Sequence, residues 1–228
     1  MLTEAPTPIA ALPADDDAAA ALLATAARRL ARKDRRLGAV VKAAGPCALR
    51  RHPGGFPRLF HAILRQQLSA KAAATIAGRL LAALGGIVLA EAVAALDDAT
   101  FAAAGVSRQK REYLRGLAAA TAAEPALFDR LEAMPDDAVI ATLTALKGIG
   151  RWTADMYLIF VLGRLDVLPL GDLSIRAAMA ELYGLPRGAP VAALAELGEA
   201  WRPYRSVACW YLYAYLDRRA AAPAGKPG

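Results

Sequence analysis

Leu146-Lys147-Gly148-Ile149-Gly150-Arg151-Trp152-Thr153-Ala154, followed after one apolar helical stretch by Leu170-Gly171-Asp172, is the part of the chain whose reading decides the fold. Helical apolar spacing leads into it at Val139, Ile140, Leu143 and Leu146, and resumes beyond it at Trp152, Met156, Ile159 and Phe160. Asp136 or Asp137 is placed to cap the first helix, which carries Ala138 to Leu146. The second is expected to begin near Gly150 or Arg151 and to end before Gly163. Gly148 and Gly150 both permit positive φ and close approach of another backbone, because neither carries a Cβ. The unpaired amides at the start of the second helix, with its positive dipole end, suit a phosphate oxygen. Lys147 and Arg151 flank the turn and add charge that any DNA sequence feels equally. A bare Gly-x-Gly also ends many ordinary helices, so the hairpin gains its meaning from what surrounds it.

Outward from the hairpin the apolar spacing stays helical, as at Phe60, Ile63, Leu64 and Leu68. Alternating β-branched runs bounded by tight-turn dipeptides are missing, so the expected fold class is all-α. Breakers such as Gly45-Pro46, Pro53-Gly54-Gly55, Gly85-Gly86, Pro135 and Pro169 with Gly171 cut the chain into about ten helices, without a repeat of fixed period. Met1 to Ala14, with Pro6, Pro8 and Pro13, reads as loose, and Asp15 to Asp17 can cap an alanine-rich helix running towards Leu30. The expected organisation is a flexible start (1–16), a first group of helices (17–55), a central helical bundle with the hairpin (56–163), a segment with Asp172 and the last helices (164–219), and a flexible tail (220–228).

Composition sets the bounds. The 228 residues suffice for a core without metals or disulfides, and the 57% hydrophobic content is dominated by alanine, which favours helix over membrane insertion. The strongest apolar run, Met156 to Leu162, is too short to span a bilayer, and the N-terminus lacks the basic start of a signal peptide. A soluble cytoplasmic protein is expected. Cys47 and Cys209 are too few for a disulfide framework or a four-thiolate cluster and read as buried free thiols, while His52 and His61 lack metal-ligand spacing. The 28 Lys and Arg against 21 Asp and Glu give a net charge of +7, which suits an anionic polymer as partner. Arg108, Lys110, Arg111 and Arg115 are the densest basic cluster, and a solvated face is the default reading of such a run.

The string Leu-x-Gly-Ile-Gly-Arg-x-Thr-Ala resembles the helix-hairpin-helix of the DNA glycosylase superfamily, in particular its alkylation-repair branch, the 3-methyladenine DNA glycosylase II enzymes. Four segments carry the resemblance: Ile63 to Ala72 (Ile-Leu-Arg-Gln-Gln-Leu-Ser-Ala-Lys-Ala), Gly105 to Lys110 with Tyr113-Leu114, the hairpin itself, and Trp201 to Ser206. It covers the chain roughly from Asp34 to Arg218. It implies a two-lobed helical fold with the active site in the cleft between lobes, duplex DNA containing alkylated bases as partner, and a monomer. It implies no required cofactor, and admits a monovalent cation at the hairpin bridging to a DNA phosphate.

Breaking an N-glycosidic bond passes through a sugar with oxocarbenium character, so a fixed negative charge is needed near the anomeric carbon. Asp172 follows Gly171 and opens the expected helix Leu173 to Tyr183, where it is equally well placed as a plain N-cap, and Asp166 competes from the preceding loop. The resemblance makes Asp172 the catalytic carboxylate. Relatives that also cut the strand carry a lysine nucleophile two residues after the second hairpin glycine; Trp152 stands there, so no Schiff base is expected. An alkylated, cationic purine leaves readily and can stack on electron-rich rings. By resemblance Trp152 and Tyr213 line the base pocket, with Tyr157 a weaker candidate, whereas Trp210 and Tyr211 read more readily as core. Gln67 and Leu68, between a helix ending near Gln66 and one that Ser69 can cap, resemble the wedge that fills the stack when a base is flipped out. The expected activity is monofunctional, water-driven release of 3-methyladenine and 7-methylguanine, leaving an abasic site. A non-catalytic binder of damaged DNA and a glycosylase for mismatched or oxidised bases are the alternatives.

Overall fold

In a computed structural model, residues 11–221 are described. They form thirteen α-helices: α1 Asp16–Lys33, α2 Arg35–Ala44, α3 Phe56–Arg65, α4 Ala70–Ala83, α5 Ala90–Ala95, α6 Asp98–Ala104, α7 Arg108–Ala123, α8 Leu127–Ala133, α9 Asp136–Thr144, α10 Arg151–Phe160, α11 Leu173–Tyr183, α12 Val191–Glu199 and α13 Arg205–Ala221. No strand occurs among the described residues, only an isolated antiparallel bridge between Ala11 and Arg164. The fold is all-α.

The chain divides into two compact units: a central one, Pro53–Ala154, and a terminal one built from the described residues up to His52 and those from Asp155 onward. The seam falls inside α10, not at the glycine that follows it, where sequence spacing had placed the end of the central bundle. The expected loose segments, 1–16 and 220–228, lie partly outside the described residues. Within them, Leu12 is buried and its amide donates to Gly163 O at 2.7 Å, Asp15 caps α1, and α13 continues to Ala221.

In the central unit α7 packs against α5 and α3, and α4 against α6. Leu59, Phe60, Ile63 and Leu64 of α3 and Leu114 and Leu117 of α7 are fully or almost fully buried, as their helical spacing requires. In the terminal unit α13 packs against α2, α11 and α1. Asp34 ties these elements together. Its Oδ1 accepts from the Arg36 and Leu37 amides at the start of α2, and its Oδ2 accepts from Trp201 Nε1 at 3.0 Å and from the Tyr183 hydroxyl. Burial alone would raise this carboxyl, but the bonds from Trp201, Tyr183, Leu37 and Arg36 outweigh it and hold its pKa below the ordinary aspartate value. No described helix is long and apolar enough to cross a membrane.

The two thiols are free. Burial pushes the Cys47 thiol up to about 12 and raises that of Cys209 also, so both are poor nucleophiles.

Candidate active site

The hairpin belongs to the central unit up to Ala154. Helix α9 begins after Pro135, which makes no side-chain cap; Asp136 and Asp137 lie in the first turn and favour the helix through its dipole, not as the expected N-cap. After Thr144 the chain turns, with the Ile149 amide on Leu146 O at 3.1 Å, and α10 opens with the Ala154 amide on Gly150 O at 3.1 Å. The two glycines do different work. Gly148 has φ +87°, and a Cβ there would sit 2.3 Å from Tyr113 Cδ2. Gly150 is not among the residues with positive φ, and a Cβ on it would meet nothing within 4 Å, so of the two only Gly148 uses the left-handed backbone that both permit. Neither amide has an acceptor among the described residues. Lys147 and Arg151 are exposed on either side of the turn.

Trp152 lies on the first turn of α10 and is 47% exposed, so its ring is not part of the core. The wedge candidates also reach solvent. Helix α3 ends at Arg65, the Ser69 hydroxyl caps α4 by accepting from the Ala72 amide at 3.2 Å, and Gln67 between them has φ +56°. Gln67 is exposed, and so is Leu68, at 38%.

The basic cluster on α7 is largely spent inside the protein. Arg111 and Arg115 both pair with Asp98, at 3.3 Å and 2.8 Å, and Arg115 also donates to Leu96 O at 2.9 Å. Lys110 donates to Leu64 O and Gln66 O. Only Arg108 fits the solvated default, paired at 3.3 Å with Glu112. Charge spacing along a helix could not reveal that the loop before α6 and the end of α3 supply acceptors.

In the terminal unit, Asp172 is the N-cap of α11. Its Oδ1 accepts from the Ser174 amide at 2.8 Å and the Ile175 amide at 3.0 Å, while the Tyr213 hydroxyl donates to Oδ2 at 2.9 Å. Capping and a second role are therefore not exclusive: one oxygen serves the helix and the other faces the phenol. Burial, the Asp172 charge and this hydrogen bond push the Tyr213 hydroxyl far above the ordinary tyrosine range, so it remains a donor. The family resemblance implies a pocket-lining ring here, and the bond through its hydroxyl is not visible in sequence.

The competing acid is otherwise engaged. Asp166 Oδ1 receives Arg205 Nε at 2.8 Å and Oδ2 receives Arg202 Nη1 at 2.5 Å, two cations around one carboxylate. Ser206 Oγ, buried at the start of α13, donates to Arg164 O at 2.7 Å and accepts from the Val167 amide at 3.0 Å. The Trp201 to Ser206 segment thus buttresses the loop that leads to Asp172, a task the sequence did not disclose. Tyr157 is buried, and so is Tyr211, whose hydroxyl donates to Gly45 O at 3.0 Å and whose ring meets Trp210 edge-on at 5.0 Å.

No group of three or more His, Cys, Asp or Glu among the described residues could hold a metal ion. The hairpin itself offers backbone oxygens, of which Gly148 O already accepts from Gln66 Nε2 at 2.7 Å.

A helical fold carrying this hairpin, with a capping acid on the helix that follows, defines a DNA-repair architecture. The chain belongs to the HhH-GPD superfamily of base excision DNA repair proteins, which it matches over residues 60–203. It is similar to the DNA-3-methyladenine glycosidase of Bacillus halodurans, at 37% identity and a TM-score of 0.78, over 86% of this chain and 91% of that one. It is also similar to the Schizosaccharomyces pombe 3-methyladenine DNA glycosylase Mag1, solved in complex with abasic DNA, at 32% identity and a TM-score of 0.70, over 83% and 95% of the two chains. The alkylbase DNA glycosidase-like protein mag2 of the same yeast is 29% identical over 194 residues, 82% of this chain and 91% of that protein.

Proposed function

We propose that this chain is a DNA glycosylase that flips alkylated purines out of duplex DNA and releases them by hydrolysis, 3-methyladenine first and 7-methylguanine with it. The observation that carries the reading is the division of labour on Asp172, whose Oδ1 caps α11 while Oδ2 is held by Tyr213. The carboxylate stabilises positive charge on the deoxyribose as the bond from C1′ to the base nitrogen breaks. The bonding electrons go to the purine, which leaves neutral because alkylation had made it cationic. Water adds to C1′ and its surplus proton passes to solvent, so an abasic site remains. No step requires a metal.

The hairpin supplies the grip. The Gly148 and Gly150 amides, the N-terminal end of α10 and the charges of Lys147 and Arg151 suit a phosphate, and the open space beside Gly150 lets a backbone come close. Trp152 offers an exposed indole face to a cationic base, Tyr213 offers the edge of its ring beside Asp172, and Gln67 with Leu68 supplies the wedge.

Since Trp152 occupies the position where a lysine nucleophile would stand, borohydride added during turnover should trap no covalent protein–DNA adduct on denaturing gels. A trapped adduct would contradict simple hydrolysis. Tyr213→Phe removes one hydrogen bond to a charged oxygen and keeps the ring, so single-turnover release should slow roughly tenfold while affinity for abasic duplex stays the same. An unchanged rate would show that the hydroxyl does not assist Asp172.

A further inference from the structure

Lys110 does something that a DNA-facing lysine would not. Its half-buried ammonium donates to Leu64 O at 2.6 Å and to Gln66 O at 2.7 Å, carbonyls at the C-terminal end of α3 where helical donors run out. Burial draws its pKa below the ordinary lysine value, as expected for a cation turned into the protein. Gln66, whose carbonyl it holds, sends its side-chain amide to Gly148 O at 2.7 Å. The next residue, Gln67, has φ +56°, a conformation that L side chains enter at a cost.

The same helix secures the other end of this link. Tyr113, one turn after Lys110, fills the space where a Gly148 Cβ would stand and is itself held by Gln109 at 2.7 Å. Helix α7 therefore touches both the loop that presents Gln67 and the turn that presents Gly148, with Gln66 joining the two. All these contacts lie within the central unit.

We propose that Lys110 and Gln66 are positioning residues that brace the Gln67–Leu68 wedge against the hairpin turn, so that the wedge resists the closing base stack while the hairpin holds the backbone. The inference rests on the glycosylase reading above. It assigns Lys110 no contact with DNA.

The test compares one lesion in two settings, because a wedge is needed only where a stack must be kept open. Lys110→Met should slow single-turnover release of 3-methyladenine from duplex DNA roughly tenfold and leave release from the same strand unpaired within about twofold. Lys110→Arg should recover most of the duplex rate. The salt dependence of binding to abasic duplex should match that of the wild type, since no phosphate contact is lost. Equal slowing on paired and unpaired DNA, an unchanged duplex rate, or a shallower salt slope would each overturn the proposal. If Lys110→Met does not fold, Gln66→Ala cuts the same link with the ammonium in place, and the same comparison decides. Absence of release by the wild type from both substrates would instead refute the glycosylase reading.

Discussion

Asp172→Asn should fold, bind abasic duplex with unchanged affinity, and release alkylated purines at least about a hundredfold more slowly than the wild type. The expectation follows from the two oxygens of Asp172 doing separate things. Asparagine ranks with aspartate as an N-cap, so its Oδ1 can still accept from the Ser174 and Ile175 amides. What disappears is the negative charge, together with the acceptor that meets the Tyr213 hydroxyl at 2.9 Å. Loss of the favourable charge at the helix start costs only about 0.5 kcal/mol of stability. Asp172→Ala removes the cap as well and should cost about 1 kcal/mol, so the pair separates catalysis from folding. Single-turnover release on methylated duplex DNA, with thermal melting as control, reads both. A rate for the asparagine variant near that of the wild type would move the chemistry elsewhere, and Asp166 could not inherit it while Arg202 and Arg205 neutralise it.

Gly148→Ala and Gly150→Ala should behave oppositely. At Gly148 the new methyl would enter the Tyr113 ring, 2.3 Å from Cδ2 and 2.5 Å from Cγ, on a backbone with φ +87°. Strain and overpacking together should cost about 3 kcal/mol, readable as an earlier urea midpoint, and binding should fall with the distorted turn. At Gly150 the methyl meets no atom within 4 Å and no unusual φ, so stability should change by less than about 1 kcal/mol. The space it occupies is where a phosphate would approach, so affinity for abasic duplex should drop roughly tenfold with the melting curve almost unmoved. Equal stability losses in the two variants would contradict the different tasks assigned to these glycines.

The parts legible in the sequence are those governed by local rules. Helical periodicity, the Ser69 cap, the glycine turn and the acid opening α11 follow from spacing and capping chemistry within a few residues, and each stands where those rules place it. What stayed hidden depends on partners far along the chain. The Asp172–Tyr213 bond links residues 41 positions apart, the Lys110–Leu64 bond 46, and the Ser206–Arg164 bond 42. The α7 basic run looked like a solvated face because Asp98 and the end of α3 are not visible as its acceptors in a helical projection. Likewise two glycines two residues apart look equivalent until Tyr113 is seen against one of them.

The central claim is that an ionised Asp172 drives hydrolytic loss of alkylated purines. The most direct measurement incubates the wild-type chain with methylated duplex DNA, identifies released bases by mass spectrometry, and examines the strand before and after alkaline treatment. The predicted result is free 3-methyladenine and 7-methylguanine, with strand breaks appearing only after alkali. DNA bound without any base released would contradict it.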